Sequence, residues 1–135
     1  MNVTEDPDRP GRSQVSTGSI FENDYAYSRA IATGDWCFVA GTTGYDYATM
    51  TMPDGVAAQT RNALGTIART LAAAGFAMKD VVRTVIYLTD AEDHPAIAEP
   101  LRDAFGSVRP ANTTVVTRLI RPEMRIEIEV TAFRG

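Results

Sequence analysis

The carboxylates of Glu127 and Glu129 have the clearest potential for chemistry in this sequence. They alternate with Ile126, Ile128 and Val130, and this period of two indicates a strand with one apolar and one polar face. Carboxylates two residues apart on a strand lie about 7 Å apart and repel each other unless water, a cation or a partner chain separates them. Two interpretations follow: a solvated sheet face, or a cleft in which one glutamate handles protons.

Composition excludes several classes of site. The net charge is −4 and Lys79 is the single lysine, which argues against a nucleic-acid groove because phosphate binding needs clustered cations. Cys37 is the only cysteine and His94 the only histidine, so an internal disulfide is impossible and a zinc site or Ser-His-Asp triad is not expected. No apolar run reaches the ~20 residues of a membrane span, and no leader pattern opens the chain. We therefore expect a cytoplasmic protein without a structural metal, nucleic acid or membrane partner.

The elements that position these groups follow from periodicity. Residues 1–19 are polar, rich in Pro, Gly and Ser and without periodicity, which predicts a flexible or surface-hugging arm before a domain of residues 20–135. The remaining patterns predict strands at about 25–31, 36–40, 81–88, 112–117 and 125–133, and helices at about 54–74 and 95–105. The order β-β-α-β-α-β-β predicts an α+β sandwich, in which one mixed sheet carries two helices on one face. Its other face is a natural place for chains to associate and enclose a site.

Several local strings, taken in their order, resemble the reactive intermediate deaminase superfamily (RidA, also called YjgF-like). They are Tyr27, Phe38-Val39-Ala40-Gly41, Gln59-Thr60-Arg61-Asn62-Ala63-Leu64, Ala73-Ala74-Gly75, Asp80-Val81-Val82, Arg109-Pro110-Ala111 and Ile126-Glu127-Ile128-Glu129. The resemblance covers about residues 20–134. It implies a chorismate-mutase-like fold and a homotrimer with three clefts between subunits. It also implies hydrolysis of 2-enamine or 2-imine acids to 2-keto acids and ammonia, without cofactor or metal.

The resemblance also assigns roles, and at one position the sequence departs from it. In active members an arginine after a Pro-Ala pair binds the substrate carboxylate, a glutamate matching Glu127 positions water, and a tyrosine matching Tyr27 shapes the pocket. The spacing from Pro110 to Glu127 fits the family pattern without a gap and places Asn112 where that arginine is expected. Asparagine brings no charge, and losing a charge-assisted pair costs about 1.5–3 kcal/mol. The sequence therefore predicts a retained site whose usual substrate has changed.

The other candidate residues each have two interpretations. Arg29 follows Tyr27 by two residues, so it is either a substitute anchor for an anion or a surface arginine. Asn112 and Thr114 form either a polar pocket wall or an ordinary strand, and Gly41 either leaves room for a ligand or ends a strand. We expect Glu129 to be paired, with Arg125 as the candidate partner.

These residues support two main hypotheses for function. The first is an enzyme that acts on an imine, an enamine or a related carbonyl metabolite by water addition, deamination or tautomerisation. The second is a non-catalytic trimer that binds a small ligand in the same cleft. A nuclease or translation inhibitor is the weakest hypothesis, because the chain is acidic and its arginines are scattered.

Overall fold

One seven-stranded sheet organises the computed structural model, which describes residues 1–135. The strands are β1 (Asn2–Glu5), β2 (Arg12–Ser16), β3 (Ala30–Thr33), β4 (Trp36–Thr43), β5 (Val81–Leu88), β6 (Ala111–Val116) and β7 (Ile126–Phe133). Their order across the sheet is β1-β2-β3-β4-β7-β5-β6, and only the β5–β6 pair is parallel. The predicted mixed α+β architecture is therefore confirmed.

Three α-helices accompany the sheet: α1 (Ile20–Tyr25), α2 (Val56–Ala73) and α3 (Ala98–Phe105). Short 3-10 segments span Met78–Asp80 and Ala91–Ile97. Helix α2 begins at Val56, close to the predicted start at about residue 54, and the left-handed φ of 84° at the preceding Gly55 explains why a glycine stands there. None of the helices has the length and apolarity that a membrane crossing requires.

Side chains along strand β7 point alternately to the buried face and to the open face of the sheet. Ile126, Ile128 and Val130 are buried in the main apolar core together with Ile67 and Leu71 of α2. Glu127 and Glu129 point to the opposite face and remain partly exposed. The predicted alternation along this strand is therefore confirmed, and the polar side chains lie on the face that α2 leaves uncovered.

The N-terminal segment differs from the predicted arm. Residues 2–5 and 12–16 form a hairpin that pairs with β3 and extends the sheet, and Val15 opposite Ala30 is fully buried. Strands this short offer too few alternating positions for a periodic signal. Pairing with a distant strand stabilises them, and the local composition does not report that pairing. A flexible arm is therefore wrong as a description of these two strands, whereas the domain boundary at residue 20 stays a prediction.

Replacement of the buried valine tests this hairpin. Val15→Ala is expected to lower the free energy of unfolding by about 1–3 kcal/mol, because a fully buried side chain loses apolar contacts and leaves a cavity. The matched control is Gln14→Ala on the exposed side of the same strand, which should stay within about 0.5 kcal/mol. Urea unfolding curves give both values. Equal midpoints for the two variants would contradict the hairpin.

Candidate active site

A β-bulge in β4 forms the seat of Glu127, by which we mean the space over Gly41 that the Glu127 carboxylate occupies. The pairing of β4 with β7 shifts between Val39 and Thr42, so Ala40 and Gly41 form an irregular step in the ladder. A Cβ built on Gly41 would overlap Oε1 of Glu127 and lie 2.8 Å from its Cδ. The space that Gly41 leaves is therefore occupied by the Glu127 carboxylate in the free protein, and β4 continues past Gly41 to Thr43. A role of Gly41 in ligand binding stays a prediction.

Glu127 has the electrostatic character of a base. Burial is the main reason that its pKa lies above the ordinary glutamate value; Arg29 lowers the pKa and Glu129 raises it. No protein donor hydrogen-bonds to the Glu127 carboxylate, so its oxygens are available to a water or a ligand. A partly desolvated carboxylate of this kind accepts protons more readily than an exposed one.

Arg29 lies at the centre of the site and has no exposed surface. One terminal nitrogen, Nη1, donates to the Gly41 carbonyl at 2.8 Å and to Thr42 Oγ1 at 3.1 Å. The other, Nη2, donates to the Tyr27 hydroxyl at 3.4 Å, and Nε lies 3.7 Å from Oε2 of Glu22. Tyr27 and Arg29 lie between α1 and β3, not on a strand as predicted, yet their side chains do meet.

Burial changes the predicted role of Arg29. The interpretation as a surface arginine is wrong, because its guanidinium also stacks over the ring of Tyr47, 4.5 Å from the centroid. A side chain without exposed surface cannot contact an anionic ligand from solvent directly in this conformation. Arg29 therefore contacts the site only through the groups that it binds, and Tyr27, which is 39% exposed, is the member of this network that solvent reaches.

Glu22 is the partner of Arg29 that sequence reasoning missed. It is 4% exposed and accepts hydrogen bonds from Ser16 Oγ at 2.9 Å, from Ser19 Oγ at 3.2 Å, and from Thr17 through both N–H and hydroxyl. The Ser19 hydroxyl also accepts from the backbone N–H of Glu22 at 3.3 Å and so caps α1. The spacing Ser-x-x-Glu is a helix-start signature that would have revealed this helix.

Asn112 and Thr114 lie on the other face of the sheet from Glu127. Asn112 is in register with Thr84 of β5, whereas Glu127 is in register with Tyr87 of the same strand. Thr84 and Tyr87 are three residues apart, and side chains an odd number of residues apart on a strand lie on opposite faces. Asn112 donates to Thr84 Oγ1 at 2.8 Å and accepts from the Thr114 hydroxyl at 2.9 Å. A single chain therefore does not bring Asn112 and Thr114 together with Glu127, and their role in a pocket wall stays a prediction.

Glu129 is paired as expected, but with a different partner. Its carboxylate accepts from the Tyr87 hydroxyl, and this hydrogen bond is the main reason that the pKa of Tyr87 is raised. The predicted partner Arg125 instead binds Asp93 at 3.0 Å. Glu129 thus has a structural partner on the sheet face, and Glu127 is left as the unpaired carboxylate.

The seat of Glu127 provides a direct test of this geometry. Gly41→Ala is expected to displace the carboxylate, because the new methyl group and Oε1 cannot occupy the same space. A misplacement of this size should lower turnover by about 100-fold. Steady-state kinetics measures the loss. Gly65→Ala is the matched control, since its new Cβ meets only the flexible end of Arg69 and a helix-interior Gly-to-Ala change is favourable by up to about 1 kcal/mol. Full activity in Gly41→Ala would contradict the geometry.

A second group of arginines lies beside a cleft of about 610 Å³ at the end of β6. Arg118 and Arg121 line this cleft, and Arg121 also stacks over Phe21, 4.8 Å from the ring centroid. Glu127 is not among the lining residues. Arg118 and Glu127 therefore do not line one cleft within a single chain.

Comparison with known proteins assigns the family. Residues 18–134 match the family model described as Endoribonuclease L-PSP. A crystal structure of a YjgF/YER057c/UK114 family member from Mycobacterium tuberculosis is 44% identical, with a TM-score of 0.84 over 91% of this chain and 99% of that one. The 2-iminobutanoate/2-iminopropanoate deaminase of Rattus norvegicus is 30% identical over 92% of this chain and 91% of that protein. The 3-aminoacrylate deaminase RutC of Acinetobacter baylyi is 42% identical over 56% of this chain and 60% of its own length. The chain belongs to the endoribonuclease L-PSP family, which is the RidA/YjgF superfamily that its motifs indicated.

Proposed function

We propose that this protein is a small-molecule enzyme that acts on an imine, an enamine or a related carbonyl metabolite by adding water. The observation that carries the proposal is Glu127, a partly buried carboxylate with a raised pKa and no protein donor, seated over a glycine. Two relatives carry names that describe deamination of imino or aminoacrylate compounds, which supports the same class of reaction.

Glu127 supplies the proton transfers that such a reaction needs. Its carboxylate takes a proton from a water molecule as the oxygen attacks the carbon of the C=N bond. With a protonated imine, this attack gives a neutral carbinolamine. Glu127 then returns the proton to nitrogen, the C–N bond breaks to release ammonia, and the Glu127 carboxylate takes the proton of the remaining hydroxyl, so that the carbon is left as a carbonyl. One base therefore serves both steps, and a raised pKa suits it to accept and then release a proton near neutral pH. The Tyr27 hydroxyl is the nearby donor for a polar group of the substrate.

The cleft is completed by a homotrimer in this proposal. The open sheet face carries exposed aromatic side chains, among them Trp36, Phe38 and Phe133, that a neighbouring subunit would cover. Asn112 reaches the Glu127 face only across such an interface, where it stands in place of the carboxylate-binding arginine. Sedimentation velocity tests this assembly, since a monomer at micromolar concentration would remove the intersubunit cleft. The cytoplasmic location and the lack of a cofactor stay predictions.

The substrate test is a comparison of charged and neutral imines. We expect ammonia release from imines generated in situ, with a preference for substrates that lack a carboxylate at the usual position. An uncharged asparagine forfeits about 1.5–3 kcal/mol of charge-assisted binding, so 2-imino acids should react about 10- to 100-fold more slowly than in an arginine-bearing relative. No release from any imine would remove deamination as the reaction.

A non-catalytic ligand-binding trimer is the alternative, and Asn112 favours it because a missing charge weakens the usual substrate contact. Binding of a ligand with equal affinity to the wild type and Glu127→Gln, with no turnover in either, would favour this function. The family description names an endoribonuclease, but the net charge of −4 makes RNA cleavage the weakest candidate. Failure to bind single-stranded RNA at low salt would exclude it.

A further inference from the structure

One buried guanidinium connects both sides of the candidate active site. Arg29 Nη1 binds the carbonyl of Gly41, which is the residue that seats Glu127. Arg29 Nη2 binds the hydroxyl of Tyr27, the exposed aromatic residue of the same site. The two groups that are expected to meet a substrate thus share one rigid support, although neither is adjacent to the other in sequence.

Arg29, which forms this support, makes a buried ion pair with Glu22. Arg29 is 0% and Glu22 4% exposed, and their closest charged atoms are 3.7 Å apart. Arg29 Nε has no hydrogen-bond acceptor, so the pair does not have the ideal geometry that would offset the desolvation of two charges. Stability alone is therefore a weak account of why two charges are buried here, and the hydrogen bond from Arg29 to Gly41, the residue against which Glu127 packs, offers a better one.

We propose that Glu22 and Arg29 are positioning residues of the active site, which hold the β4 bulge at Gly41 and the Tyr27 hydroxyl in place and set a positive charge behind the Glu127 carboxylate. The proposal rests on the proposed function only in taking Glu127 as the working base. It extends the site to α1 and to the turn at residues 16–19, whose Ser and Thr side chains hold Glu22.

The charges that face Glu127 allow a clear prediction of sign. Arg29 acts on the carboxylate as a positive charge that lowers its pKa, Glu129 lies two residues along β7, and Tyr87 is opposite Glu127 on β5. Removal of Arg29 takes away the one positive charge that lowers the pKa of Glu127, so that pKa should rise. Mere loosening of the site has the opposite effect, because water would then reach Glu127 and its pKa would fall toward the ordinary glutamate value.

The experiment is a titration of the Glu127 side chain by carbon-13 NMR in wild type, Arg29→Gln and Arg29→Lys. We expect Arg29→Gln to raise the pKa of Glu127 by about one unit or more, as loss of a nearby opposite charge does. The pKa of the Tyr27 hydroxyl should rise as well, since Arg29 lowers that pKa in the wild type. Arg29→Lys keeps the positive charge, so the pKa values of Glu127 and Tyr27 should both lie close to their wild-type values in this variant.

Two further variants keep the test decisive. Thr70→Val removes a buried hydroxyl of α2 that bonds the Thr66 carbonyl and neither member of the charge pair, and it should leave the pKa of Glu127 unchanged. If Arg29→Gln does not fold, Glu22→Gln combined with Arg29→Gln replaces it, since this double variant buries no charge and the same upward shift is expected.

An unchanged or lowered pKa of Glu127 in a folded protein without Arg29 would overturn the inference. The titration does not depend on turnover, so failure of this inference is separable from failure of the proposed function. An upward shift in a protein that releases no ammonia would support the positioning role and count against deamination. An unchanged pKa in an active enzyme would do the reverse.

Discussion

Glu127→Gln is expected to lower ammonia release by about 100-fold or more, the usual loss when a general base is removed. Glutamine has nearly the same shape as glutamate, so it still fits over Gly41, but it cannot take a proton from the attacking water. The measurement is the turnover number on the best imine substrate. The wild-type rate should also increase with pH through the pKa of Glu127, which lies above the ordinary glutamate value. The pH–rate profile of the variant should lack this increase.

Glu129→Gln is the matched control, because Glu129 lies on the same sheet face and glutamine still accepts from Tyr87. It should retain activity within about 10-fold, since it contributes no proton transfer. Equal losses in the two variants would contradict a specific role for Glu127.

The stability of Glu127→Gln separates loss of function from loss of fold. Because the pKa of Glu127 is raised in the folded protein, the folded state binds this proton more tightly than the unfolded chain does. The wild type therefore loses stability as the pH rises through the folded pKa, while the variant does not. Glu127→Gln should unfold at a higher urea concentration than the wild type at neutral pH, and the difference should vanish below the ordinary glutamate pKa.

Arg29→Met is expected to lower the free energy of unfolding by about 3–5 kcal/mol, the range found when one partner of a buried ion pair is removed. The substitution leaves the Glu22 carboxylate buried without its positive partner, and it also leaves the Gly41 carbonyl without its donor. Urea unfolding at one fixed protein concentration measures the change, because oligomer formation makes the midpoint depend on concentration.

The matched variant combines Glu22→Gln with Arg29→Met. It removes both charges, so it should be more stable than Arg29→Met alone even though it carries one more substitution. A wild-type midpoint for Arg29→Met, or a double variant less stable than the single one, would show that Glu22 and Arg29 do not form a buried pair of this kind.

The sequence by itself determined the family, most of the strands and the identity of Glu127 as the leading candidate. These features depend on local information: strand β7 alternates strictly between core and open face, strand β5 is a run of β-branched residues, and the family strings keep their order. The same local patterns missed β1, β2 and α1, because four to six residues carry little periodicity and a hairpin is stabilised by pairing with β3.

Only the tertiary structure decided how the candidate residues relate to each other. It buried Arg29 against Glu22, because the segment between α1 and β3 folds back onto the bulge at Gly41, 12 residues further along the chain. It also placed Asn112 on the sheet face opposite Glu127, since register between strands, not spacing along the chain, determines which side chains share a face. The sequence gives the residue types, but the burial of a side chain and the sheet face on which it lies depend on long-range strand pairing, which no local pattern encodes.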